Sequence, residues 1–198
     1  IAVKNHTGSC CRWGRMNLTT AFWLTTLMGP LVLLSYVRGV MAVEDATVYW
    51  GDVSETMRSR IVPWMFVAGA GYLLMWHRFF FAWSEADVST LHWPWQSPDG
   101  NGVQRLFVVW TVFLLAWMIW IDATRLYIEN PSTVRQVVVI VILWAAGLAS
   151  IGFAVLVWPQ RAELPGASLA MAGSVMLAIQ CLWWDAVYWV ARFGWNTP

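Results

Sequence analysis

The chain has 198 residues, a formal net charge of +1, 59% hydrophobic residues and 12% charged residues. Soluble domains carry roughly 25% charged residues, so a mean hydropathy of +0.56 with so few charges argues against an ordinary soluble globule. No basic stripe or patch occurs, which argues against a nucleic-acid binder.

The first apolar segment predicts a helix over about residues 20–43, with Gly29-Pro30 inside it. Proline lacks the backbone donor and crowds the preceding turn, so a kink is expected there. A polar loop over 44–60 follows, in which Asp52 and Glu55 have the spacing of a capping box for a short surface helix. The second helix is expected over about 61–83, with Pro63 in its tolerant first turn.

The longest loop, 84–105, holds Trp93-Pro94-Trp95 and then Asp99-Gly100-Asn101-Gly102. The tryptophans read as headgroup-level anchors and the second run as a tight turn. A third helix is expected over about 106–128, closed by Asn130-Pro131. Ser132 or Thr133 can cap a fourth, over about 134–158. A link through Pro159 and Pro165 leads to a fifth, over about 166–193.

Each of these segments is long enough to cross a hydrocarbon core, which takes about 20 residues. Runs such as Val137 to Leu143 do not alternate as barrel strands must. Helices also satisfy their own backbone in lipid. The expected fold is therefore all-α: a single integral membrane bundle of five transmembrane helices with short loops. No internal repeat supports an inverted-repeat transporter.

Orientation is not decided by the basic residues. Lys4, Arg12, Arg15, Arg78, Arg105 and Arg161 fall on one side, and Arg38, Arg58, Arg60, Arg125, Arg135 and Arg192 on the other. Discounting residues 1–15 as the remnant of a leader would favour the second side. That stretch is basic and free of acids, as targeting segments and positive flanks are.

Three cysteines, with Cys10 and Cys11 adjacent and Cys181 in a helix, give no disulfide framework. Palmitoylation of the adjacent pair is the alternative to ordinary free thiols. Asn5-His6-Thr7 and Asn17-Leu18-Thr19 match the glycosylation triplet, although Asn17 sits close to the membrane.

Ionisable groups inside spans are the first places to look for function. Arg38, Asp122, Arg125 and Asp185 all fall near the same end of the odd-numbered helices, so they can form one cluster. The structural reading is an ion-paired lock, with Asp122 and Arg125 pairing within their own helix. The functional reading is an ion or proton path.

Small residues spaced by four, Ala146, Ser150 and Ala154 on the fourth helix and Ala170, Ser174 and Ala178 on the fifth, predict close packing of the two. Asp185, seven residues after Ala178, is expected on nearly the same face and directed into protein. Gln180 and Cys181 are expected nearby, in an interhelical hydrogen bond.

His77 is the one histidine within a span, so a bis-histidine haem is disfavoured. The residue reads as an anchor, with a pigment metal as the alternative. The seventeen tryptophans form an aromatic belt at the predicted ends, but Trp110, Trp117 and Trp120 share one face of the third helix. Packing against lipid or a partner subunit is the favoured reading. A pocket for a flat apolar ligand, such as a lipid, quinone, sterol or pigment, is the other.

No phosphate-binding loop, zinc-protease motif, paired Cys-x-x-Cys or nucleophile elbow occurs. No metal site is expected. These features predict a non-catalytic subunit of a larger membrane complex, in contact with lipids and other membrane subunits. An organellar energy-converting membrane, mitochondrial inner or thylakoid, is expected over the plasma membrane. The runner-up is a small transporter or channel using Asp122 and Asp185, and a lipid-acting membrane enzyme comes third.

Overall fold

Apolar runs long enough to bury their own backbone become helices, and the computed structural model, which describes residues 16–195, contains no strand among them. Cys10, Cys11, the Asn5 triplet, Lys4, Arg12 and Arg15 lie outside the described residues.

Helix α1, Leu18–Met41, begins where the Asn17 side chain accepts a hydrogen bond from the Thr20 amide at 2.8 Å. The helix runs on through Pro30 without a break. A 3-10 turn, Ala46–Trp50, follows, capped by Asp45. Helix α2, Glu55–His77, ends in a π-helical turn, Arg78–Ala82. A short α3, Glu85–Ser89, leads to the long α4, Gly102–Glu129. Helix α5, Thr133–Val157, ends in a 3-10 turn, Trp158–Gln160. Helix α6 starts as Ala167–Ala178, widens into a π-helical stretch over Ile179–Trp189 and closes with Val190–Arg192.

Four helical segments, Leu18–Met41, Gly102–Glu129, Thr133–Gln160 and Ala167–Arg192, are long and apolar enough to cross a membrane. They are the helices of a membrane-embedded bundle. The expected fifth span, α2, is not among them: it starts earlier than expected, and its apolar part is diluted by Pro63, Trp64, Gly69, Gly71 and Tyr72. Its first two turns carry Glu55, Arg58 and Arg60. Pro63 consequently lies inside the helix instead of in its first turn. The expected capping box at Asp52 and Glu55 does not form, since Ser54 holds the cap position. A capping box does form at α3. There Asp87 Oδ2 accepts from the Ser84 amide at 2.9 Å, and Ser84 Oγ accepts from the Asp87 amide at 3.2 Å.

Helix α4 is the hub, packed by α1 on one side and α5 on the other; α6 lies on α5, and α2 lies along α6. The outward faces are apolar at helical spacing. Val108, Val112, Leu115 and Ile119 are exposed along α4, and Val137, Val141, Trp144 and Leu148 along α5. In water such stripes drive association; in hydrocarbon they cost nothing.

Helices α2 and α6 touch backbone to backbone. A Cβ at Gly71 would come within 2.6 Å of the Gly173 carbonyl oxygen, and one at Gly173 within 2.5 Å of the Gly71 oxygen. Helices α5 and α6 meet at the expected small-residue rows. The Ser174 hydroxyl donates to the Ser150 carbonyl at 2.6 Å. Ala146, Ser150, Ala170 and Ser174 are buried, with Ala154 and Ala178 half-buried at the ends of the rows.

The loop before α4 is organised by Arg105, which donates to Asp99 Oδ1 at 2.8 Å and to Oδ2 at 2.7 Å. Beside it the Trp93 and Trp95 rings stack in parallel, 5.6 Å apart. The Arg105 and Asn101 hydrogen bonds hold the Asp99 carboxyl well below the usual carboxylate range. A lowered folded-state value means the contribution is fully present above the unfolded carboxylate value of about 3.9, and it is lost as the pH falls through the folded one. Because Asp99 is solvent-accessible, the contribution is small. The expected result is a stacked Trp93–Trp95 signal in near-ultraviolet circular dichroism that persists at neutral pH and fades only in strong acid. Asp99→Asn should weaken it at neutral pH. A signal lost already near pH 6 would contradict this assignment.

Candidate functional site

Helices α1 and α2 meet at one end and stand apart at the other. They are joined where Trp76 Nε1 donates to Thr25 Oγ1 at 2.9 Å and where the Phe22 and Trp76 rings lie 5.6 Å apart. Beyond that junction a cleft of about 1060 Å³ opens between them, floored by α4 and α6. The 3-10 turn closes its far end. The Tyr49 hydroxyl donates to the Gly39 carbonyl at 2.8 Å, and Trp189 Nε1 donates to the Tyr49 carbonyl at 3.0 Å.

The walls are almost wholly apolar, from Leu33 and Val40 of α1, Phe66 and Leu73 of α2, and Phe113 and Leu114 of α4. Ligand cavities typically occupy about 300–1,000 Å³ and combine such walls with a few polar groups. Thr25, Thr26 and Tyr72 line the cleft toward the Trp76 junction, while Asp185 and Gln180 lie toward the end nearest the 3-10 turn. Asp185 is half-buried there, and its Oδ1 accepts from Gln180 Nε2 at 2.9 Å. Tyr36, Trp117, Trp120 and Trp189 surround the same end. A second cleft, about 310 Å³, lies between α3 and the start of α4, near Glu85 and Gln104, and lacks apolar walls of this extent.

The expected four-member charge cluster does not form. Arg38 of α1 reaches across to Asp122 of α4, because those two helices pack directly. Arg125, with Asp122 already occupied, pairs instead with Glu129 one turn on, at 2.5 Å. Asp185 joins neither pair. Its partner is Gln180 on the same helix, so the expected interhelical bond is replaced by an intrahelical one. The five-residue separation matches the i→i+5 bonding of the π-helical stretch. The same stretch widens the turn between Ala178 and Asp185. The shared face expected from ordinary α-helical spacing is therefore not kept, and Asp185 lines the cleft while Ala178 does not.

The tryptophan face of α4 divides. Trp117 and Trp120 line the cleft. Trp110 is fully buried in the core, its ring 4.5 Å from Phe153, and contributes nothing to the cavity. His77 is exposed and stacked on Phe81, with ring centroids 5.8 Å apart. No group of His, Cys, Asp and Glu suited to a metal occurs among the described residues. The contributions of Tyr36 and Trp189 to the site were not visible in the sequence, because nothing in it reveals that α1 and α2 diverge.

No protein-family model, curated protein or solved structure matches this chain.

Proposed function

We propose that this protein is a non-catalytic integral membrane subunit that holds a lipid-like molecule in the cleft between α1 and α2. The single observation carrying this reading is a large apolar cavity whose one charged group among the described residues, Asp185, sits toward one end. An amphipathic molecule matches that distribution, with an apolar body along the walls and a polar head near Asp185. In this reading α2 is a fifth span. It has 23 residues, and at about 1.5 Å each a helix of that length covers the roughly 30 Å of hydrocarbon. Its deficit in hydropathy is tolerable because it lies along α6 and its charged first turns sit at one end.

The exposed stripes of α4 and α5 offer surfaces to lipid tails or to helices of other subunits. An organellar energy-converting membrane is the first place to look for such partners. A transporter or channel would route an ion past Asp122 and Asp185. Asp122 is already held by Arg38, and the cleft walls are apolar, so the binding reading has the better support.

The test is extraction in a mild neutral detergent, followed by native mass measurement with co-purifying chains and lipids identified. A complex with unlike subunits and a retained amphiphile is the expected result. A lipid-free homo-oligomer that supports ion flux in liposomes would replace this reading with the transporter.

A further inference from the structure

We propose that the Asp185 end of the α1–α2 cleft receives a protonated or quaternary ammonium group, so that its occupant is a phosphate-free cationic amphiphile. This rests on the reading of the cleft as a ligand site. Among the described residues, Asp185 is the one acidic side chain lining the cleft, and no lysine, arginine or histidine lines it. A carboxylate in apolar surroundings needs a cation or a proton. None of the ion pairs among the described residues involves Asp185. Gln180 engages only Oδ1, which leaves Oδ2 without a hydrogen-bond partner among the described residues.

The rings around this carboxylate are those that attract cations. Trp120 lies 5.6 Å from Tyr36, 5.8 Å from Trp117 and 5.8 Å from Trp189. Aromatic faces carry negative potential, and several of them together form the cages that hold quaternary ammonium groups. Asp185 adds a full charge in the cleft that these rings line.

The same inventory argues against a phospholipid, which would bring a phosphate into a cavity with no basic side chain among the described residues to receive it. A protonated ammonium donates to Asp185 Oδ2 and a quaternary one pairs with the carboxylate by charge alone, while the alkyl or ring portion occupies the apolar length of the cleft.

The test uses the full chain in dodecyl maltoside, with equilibrium dialysis of radiolabelled decyltrimethylammonium and of uncharged decanol, and protein-free micelles as the blank. The expected result is tighter binding of the cation than of decanol by about tenfold or more. Asp185→Asn should abolish that preference and leave decanol binding unchanged. Trp120→Leu should weaken cation binding several-fold and decanol binding little. If Asp185→Asn does not give a monodisperse folded protein, Trp120→Leu and Tyr36→Leu carry the comparison. Equal binding of both probes by the unmodified protein, or cation binding indifferent to these substitutions, overturns the ammonium assignment and leaves the cleft as a general apolar site. Binding of neither probe above the blank overturns the cleft reading itself.

Discussion

Trp110→Ala is expected to destabilise the protein by about 3 kcal/mol, one of the two largest effects of a single substitution in this chain. The side chain is fully buried, its ring 4.5 Å from Phe153 and 5.2 Å from Tyr72. Truncation leaves a void where these rings lose their contacts. The figure stands at the lower end of the range for buried tryptophans because the unfolded chain in a micelle stays in apolar surroundings, so packing supplies more of the loss than transfer from water. Trp110→Phe should cost much less. It keeps a ring in place and removes an indole N–H that is buried without a partner. Unfolding in mixed micelles of increasing sodium dodecyl sulfate content measures both. A loss below about 1 kcal/mol for Trp110→Ala would mean the ring is not a core element. The contrast with Trp120 is part of the prediction: Trp120→Leu should alter ligand binding at the cleft more than it alters stability.

The second large effect is at the α2–α6 crossing. Gly71→Ala or Gly173→Ala should each cost about 1–3 kcal/mol, and the corresponding leucine variants should detach α2. At either position the new Cβ meets backbone oxygen of the opposite helix, at 2.6 Å or 2.5 Å. A backbone atom cannot swing aside as a flexible side chain does, so the helices must part. Helix α2 packs mainly along α6, with Tyr72 on Trp110 and the Thr25–Trp76 bond among its other contacts, so parting from α6 removes most of what holds it. Limited proteolysis of the loop over residues 42–54 in detergent reads the release. Gly69 is the control, because nothing lies within 4 Å of a Cβ there. Gly69→Ala should be neutral or stabilising by up to about 1 kcal/mol through helix propensity. A Gly69 variant more damaging than a Gly71 variant would contradict this packing.

The turn between α4 and α5 is legible in the sequence, whereas the ends of α2 are not: its α-helical part lies six residues earlier than expected at both termini, Glu55 for 61 and His77 for 83. Asn130-Pro131 and Ser132 mark the turn between α4 and α5, and Ser132 does cap α5, its side chain accepting from Arg135. The rows through Ser150 and Ser174 were legible too, since small residues at four-residue spacing serve close approach whatever the neighbours are. The Gly71–Gly173 contact was not, although both residues are small. Two glycines on different helices become a pair only once the crossing point is known.

Composition and the length of the apolar runs therefore determined the all-helical class and the membrane-embedded character, because backbone in hydrocarbon must be satisfied within each helix. They also placed the scarce charges toward the helix ends. Only the tertiary structure decided that Arg38 takes Asp122, that Arg125 turns to Glu129, that Trp110 is core while Trp117 and Trp120 line a cavity, and that Asp185 belongs to that cavity. The physical reason lies in the solvent. In water, a polar face marks the outside of a helix and an apolar face the inside. In lipid both faces are apolar, so the periodicity that would aim each side chain is erased, and the partners of α1, α2, α4 and α6 follow from packing alone.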